Sequence, residues 1–131
     1  MTTRIHPETG ETLHRDTRLM KVQVGPFSEE VMVGGWYPKG VGDAIHTGAD
    51  LAEFEETWDR LRGRYAAYLR ESRKRWRLTQ EQAGKLIGGG KRAFQKYETG
   101  KALPTEAAVG LIELLNADEA NLERLRRIRA A

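Results

Sequence analysis

Three consecutive glycines, Gly88-Gly89-Gly90, separate two short apolar-periodic stretches, and this punctuation constrains the fold more than any other part of the 131-residue chain. Before them, Thr79 and Gln82 have the spacing of a capping box, in which a hydroxyl and an amide each satisfy one free backbone N–H at a helix start. The pattern predicts a helix over about Gln80–Ile87, with Leu86 and Ile87 facing a core and the small Ala83 and Gly84 where a second helix must come close. Residues without a Cβ turn at little steric cost, so the glycines stop that helix. A second short helix is predicted from about Lys91 to Glu98, with Phe94 and Tyr97 inward and Arg92, Gln95 and Lys96 outward, ended by Gly100. Two short helices with a glycine-bearing turn, the second displaying long hydrogen-bonding side chains, form the pattern of a helix-turn-helix DNA-binding element.

Charge is concentrated in the same place. The net charge is +3, yet residues 1–69 hold 8 Lys/Arg against 11 Asp/Glu, residues 70–101 hold 10 against 3, and residues 102–131 hold 4 against 5. A basic block in an otherwise acidic chain fits a polyanion partner, and it equally fits a solvated basic helix; charge alone leaves both open. The absence of cysteine excludes disulfides, thiolate zinc sites and cysteine nucleophiles, and fits a reducing compartment. No apolar run approaches the roughly 18 residues that span a bilayer, and the N-terminal residues lack the apolar stretch of a secretory signal. A cytoplasmic protein without a membrane partner is expected.

The N-terminal half reads as a small β module. Turn chemistry marks His6-Pro7-Glu8-Thr9-Gly10. Met20, Val22 and Val24 alternate with polar residues as one strand, Gly25-Pro26 breaks it, and Val31-Met32-Val33 returns as a second. Five glycines and a proline between Gly34 and Gly48 predict loops, with Trp36 and Tyr37 pinning them down. An apolar stripe at Leu51, Phe54, Trp58, Leu61, Tyr65 and Tyr68 or Leu69 then predicts a helix capped by Asp50, able to run on to Trp76. After Pro104 a further helix carries Ala107, Ala108, Leu111, Leu114 and Leu115, with Asn116 and Asp118 interrupting it. Leu122, Leu125 and Ile128 line one face of a last helix, as a dimer surface or as core.

The 78–100 stretch resembles the helix-turn-helix domains of phage repressors and Cro: the Thr79-Gln80 opening, the small Ala83, the apolar Leu86 and Ile87, Tyr97-Glu98-x-Gly100 and the following Pro104 all match. Over the whole chain, the early turn, the hairpin, the Trp-Tyr loop and Gly-Gly-Gly-x-x-Ala-Phe-x-x-Tyr-Glu resemble the MqsA (YgiT-type) antitoxins of bacterial type II toxin–antitoxin systems. The resemblance implies an α+β fold: a β-hairpin and loop module (1–50) that binds a toxin ribonuclease, a connecting helix (51–69), and an all-α, five-helix helix-turn-helix domain (70–131) that dimerises and represses its own operon. Family members also hold structural zinc through two Cys-x-x-Cys pairs in the N-terminal module. Here the matching positions fall near His6 with Thr9 and Pro38 with Val41, and the scattered His6, His14 and His46 cannot close a tetrahedral site alone, so no metal or cofactor is expected.

By position in the family, Arg92 and Lys96 are the base readers, with Gln95 a third reader or a phosphate contact, and Gln80 grips a phosphate at a helix start. Lys91, Arg73, Lys74, Arg75 and Lys101 would neutralise neighbouring phosphates. The expected partners are a palindromic duplex operator, a cognate toxin and a second copy of the chain. A stand-alone transcriptional regulator, with a sensing or protein-binding N-terminal module, is the competing reading. Enzymatic use of Glu8, Asp43 or His46 has little support, since no nucleophile or phosphate loop accompanies them.

Overall fold

A computed structural model describes residues 2–130. Strands β1 (Thr3–Ile5), β2 (Thr12–Val24) and β3 (Phe27–Tyr37) precede helices α1 (Gly48–Arg75), α2 (Gln80–Ile87), α3 (Ala93–Glu98), α4 (Glu106–Ala117) and α5 (Ala120–Ala130), the expected α+β class. Two compact units result. Residues 2–23 with Ser28–Arg60 form the first, and Val24–Phe27 with residues 61–130 form the second. No helix among the described residues is long and apolar enough to cross a membrane.

The first unit is a sheet of order β1-β2-β3, with β1 antiparallel to β2 and Arg4 opposite Leu13. Both main strands are far longer than the apolar alternation predicts: β2 starts at Thr12 and β3 continues through Gly34-Gly35 to Trp36 and Tyr37, where a loop was expected. The polar run Arg15–Arg18 hides β2 because the ladder is made by backbone groups, which do not need apolar side chains on an exposed stretch. Gly35 sits in a strand because His46 lies against it; a Cβ there would stand 2.6 Å from the imidazole Nδ1. That nitrogen is 2.8 Å from the Gly34 carbonyl, which can only accept, so Nδ1 carries the proton.

His6 builds the first turn. Its Nδ1 accepts from the Glu8 and Thr9 amides at 3.1 and 3.3 Å, and its own backbone bonds Glu11 and Gly10. Thr9, Pro38 and Val41 offer no side-chain zinc ligand of the thiolate or imidazole kind, and the Nδ1 of His6 is committed to its own turn. The residues at these positions do not fit a zinc ion.

The start of α1 differs from expectation in its cap. Thr47 is the cap and Asp50 its reciprocal partner: the Thr47 amide donates to Asp50 Oδ2 (2.9 Å) and the Asp50 amide donates to Thr47 Oγ1 (3.1 Å). Arg15, on β2, grips both oxygens of the same carboxylate. This ion pair and the Thr47 amide hold the Asp50 carboxyl well below the usual carboxylate range. Because the folded value is depressed, the contribution is complete above the unfolded value of about 4 and is lost as pH falls through the lower folded value. Amide exchange at Thr47 is therefore expected to quicken only in strong acid, below about pH 4. In Asp50→Asn the pH-dependent step should vanish; a step of equal size in that variant would assign it to another group.

In the second unit the α1 stripe is buried where expected, with Leu61, Tyr65 and Leu69 at 0–1% exposure beside Phe94, Ile112 and Leu115. The hairpin tip belongs here. Phe27 meets Tyr65 and Tyr68 edge-on, with ring centroids 6.0 and 5.3 Å away, and a Cβ on Gly25 would stand 2.6 Å from the Tyr65 ring. Counting the second half of α1, the unit holds five helices.

Helix α1 ends in a Schellman closure. Leu78 N–H donates to the Arg73 carbonyl (3.2 Å) and Arg77 N–H to the Lys74 carbonyl (3.0 Å), with Arg77 left-handed at φ 59°. Asn116, expected to interrupt α4, instead occupies its last turn and bonds four groups on α1 and the turn that ends it. Its Nδ2 donates to Tyr68 Oη and Ser72 Oγ, both at 2.9 Å, while its Oδ1 accepts from Arg75 (2.9 Å) and Trp76 Nε1 (3.1 Å). The α5 stripe divides: Leu125 is buried, whereas Ile128 is 65% exposed.

Candidate nucleic-acid interface

The site is built on α2, α3 and the turn between them. Thr79 and Gln82 form the capping box that their spacing predicts, at 3.1 and 3.0 Å. Ala83, Gly84, Leu86 and Ile87 are buried. Gly88, Gly89 and Gly90 then take φ values of 125°, 87° and 91°, a run of left-handed backbone that side chains with a Cβ would strain. This run folds the chain back so that the Gly90 carbonyl rests on Gly84, where a Cβ would stand only 2.0 Å from the oxygen. The pairing explains why a helix interior carries glycine at 84.

Helix α3 begins at Ala93, two residues later than predicted, because Lys91 and Arg92 complete the turn and the Ala93 amide bonds the Gly90 carbonyl at 3.2 Å. Neither a lysine nor an arginine side chain can accept a bond from helix amides, so Arg92 caps nothing and its guanidinium stays outside. Phe94 and Tyr97 are buried, with ring centroids 5.4 Å apart in an edge contact. Lys91, Arg92, Gln95, Lys96 and Lys101 are exposed. The side chains of all five make no hydrogen bond or ion pair with any described residue.

Three further contacts hold this element. Glu98, at the end of α3, receives Arg73 in a bidentate pair (2.8 and 2.9 Å) with side chains 5% and 15% exposed, and Gln80 Nε2 adds a weak contact at 3.4 Å. Arg73 also donates to the Leu78 carbonyl at 3.0 Å, and the Glu98 carboxylate raises its pKa further. Arg62 donates to the Gly100 carbonyl just after α3. Arg129 of α5 donates to the Leu86 carbonyl at 2.9 Å, meeting the negative end of the α2 dipole.

The structure thus brings Lys91, Arg92, Gln95 and Lys96 together on one open segment. Of the basic run expected at phosphates, Lys74 is exposed and pairs with no described residue, while Arg73 is engaged by Glu98 and Arg75 by Asn116 and Ser72. Residue patterning missed Glu98, Arg62 and Arg129 as positioning groups. Their partners lie 25 to 43 residues away, and no local periodicity announces such pairs. In the first unit, Glu8, Asp43 and His46 rim an open groove, without a cluster of three metal-binding side chains among the described residues.

The family described as the antitoxin component of bacterial toxin-antitoxin system, MqsA, matches residues 31–126. The protein named Antitoxin MqsA from Escherichia coli (strain K12) is 37% identical over 54 residues, which cover 41% of this chain and 41% of that relative. The match spans well under two thirds of the relative's length.

Proposed function

We propose, from the premise that this chain belongs to the MqsA antitoxin family, that it is a DNA-binding antitoxin of a type II toxin–antitoxin system. In this reading the β module neutralises an mRNA-cleaving toxin, and the helix-turn-helix domain represses the operon that encodes both. It acts as a cytoplasmic regulator rather than an enzyme. The observation that carries the DNA-binding part is the set of exposed cations on α3 and its turn that pair with no described residue, on an element clamped at Glu98 and Gly100. The clamp fixes the backbone of this element before binding, so only its side chains remain to be ordered at the groove.

Arg92 and Lys96 reach base edges in the major groove, Arg92 as a fork to guanine and Lys96 as a point donor. Gln95 stands beside them as a third reader. Lys91, Lys74 and Lys101 neutralise phosphates, and Gln80 offers its remaining amide proton to a phosphate at the α2 start. Arg73 and Arg75 support these contacts through their protein partners. One six-residue helix reads few base pairs, so two copies act on a palindrome with half-sites about 34 Å apart.

Arg92→Ala is expected to lower operator affinity by about 1–3 kcal/mol and to relax preference at one base position. Lys74→Ala should weaken all duplexes alike and reduce the salt slope by about 1. Binding-site selection on randomised duplexes checks both, and identical behaviour of the two variants would remove the base-reading role. Co-expression with the neighbouring reading frame tests the antitoxin half: rescue from a toxic neighbour supports it, while operator binding without rescue favours a stand-alone regulator.

A further inference from the structure

Seven described residues outside any ordinary right-handed or extended conformation have positive φ, and six of them are glycine; the seventh is Arg77. The Schellman closure of α1 demands a left-handed residue at that point, and glycine fills such a site with least strain. The backbone around Arg77 is fixed on both sides. Trp76 is buried and tied through Nε1 to Asn116, and Leu78 is buried and bonded to Arg73. Arg77 therefore cannot relax by shifting the turn. Its side chain is exposed and makes no hydrogen bond or ion pair with any described residue. Glu119 and Glu123 line the same open groove as Arg77, but neither comes within ion-pair distance of it. The contacts of Trp76 and Leu78 hold the left-handed residue in place, and the cation it presents is left without a hydrogen-bond or ion-pair partner among the described residues.

Two residues beyond Arg77 stands Thr79, the cap of α2, and three residues before it stands the open Lys74. We infer that Arg77 is a further DNA-backbone contact, its charge carried on a rigid left-handed hinge two residues ahead of the α2 cap. This rests on the DNA-binding reading above and adds to it a residue that the basic-run pattern leaves out. A phosphate is the fitting partner, because a guanidinium binds phosphate oxygens in a fork and this one makes no ion pair with the Glu119 and Glu123 carboxylates of its groove.

The trade-off gives the test. In Arg77→Gly the strain and the charge disappear together, so thermal unfolding should move up by a few degrees. At the same time operator affinity should fall about fivefold at moderate salt, with a salt slope shallower by about 1. Arg77→Asn, which tolerates the left-handed region, should show the same loss of slope, and Arg77→Lys should retain the wild-type slope. Unchanged slope and affinity in Arg77→Gly, or a lower melting temperature in that variant, would overturn the inference. If the wild-type chain retains no duplex at low salt, the DNA-binding reading itself fails, a result the Arg77 variants cannot mimic.

Discussion

Gly84→Ala is expected to destabilise the second unit by about 2 kcal/mol and to abolish operator binding. An alanine in a helix interior ordinarily gains about 1 kcal/mol over glycine. At Gly84 the added methyl would stand 2.0 Å from the Gly90 carbonyl oxygen, which is backbone and cannot swing aside. Overpacking of a buried contact costs about 1–3 kcal/mol and more when the neighbour is rigid, so the clash outweighs the propensity. Gly63 and Gly110 supply the control, because both lie inside helices with nothing within 4 Å of an added Cβ. Alanine at either should stabilise by about 0.5–1 kcal/mol. Chemical denaturation of the three variants checks the contrast, and a Gly84→Ala protein as stable as Gly110→Ala would refute the close approach. Relief of the clash would push the glycine turn and α3 away from α2, which explains why binding should go with stability.

Asn116→Leu should cost about 3 kcal/mol. The leucine is similar in volume but removes four hydrogen bonds at once. Trp76 is nearly buried and its Nε1 loses its acceptor, while the completely buried Ser72 Oγ keeps only the longer Arg75 contact at 3.3 Å. A stranded buried group costs about 1–3 kcal/mol, whereas the net worth of a satisfied bond is nearer 1 kcal/mol. Tyr68 suffers less, since its hydroxyl still donates to Glu113. Asn116→Asp keeps the two acceptor contacts and loses the two donors, and should fall between leucine and wild type. Urea unfolding followed by tryptophan fluorescence reports both, Trp76 being one of the three indoles. A loss below about 1 kcal/mol for leucine would mean that the network is not what joins α4 to α1.

The parts of this protein that were legible in its sequence are those made by near neighbours. Thr79 and Gln82 are three residues apart, and Gly88-Gly89-Gly90 are adjacent, so a capping box and a reversal can be read directly. The inward Phe94 and Tyr97 follow from helical spacing. Periodicity tells which face is buried but not what it meets. Glu98 reads as the end of a helix, yet its role comes from an arginine 25 residues back. Asn116 reads as a helix breaker because asparagine favours non-helical backbone when unpartnered, and here four partners 40 to 48 residues away override that preference. Asp50 with Glu53 three residues on reads as a cap, yet the helix starts earlier: Thr47 takes the cap, and Asp50 is its reciprocal partner while also holding Arg15. The β strands were underestimated for a related reason: ladder bonds leave no trace in side-chain chemistry on an exposed stretch.

The seating of Tyr65 over Gly25, with Phe27 at its edge, carries a lesson for anyone who would divide this gene. The helical half is not an uninterrupted segment of chain: four residues of its packing, Val24–Phe27, are encoded upstream of the other half's last thirty-odd positions. A fragment begun at Leu61 would expose a bare aromatic shelf and invite self-association. Useful truncations must either carry the hairpin along or repaint that shelf with polar side chains.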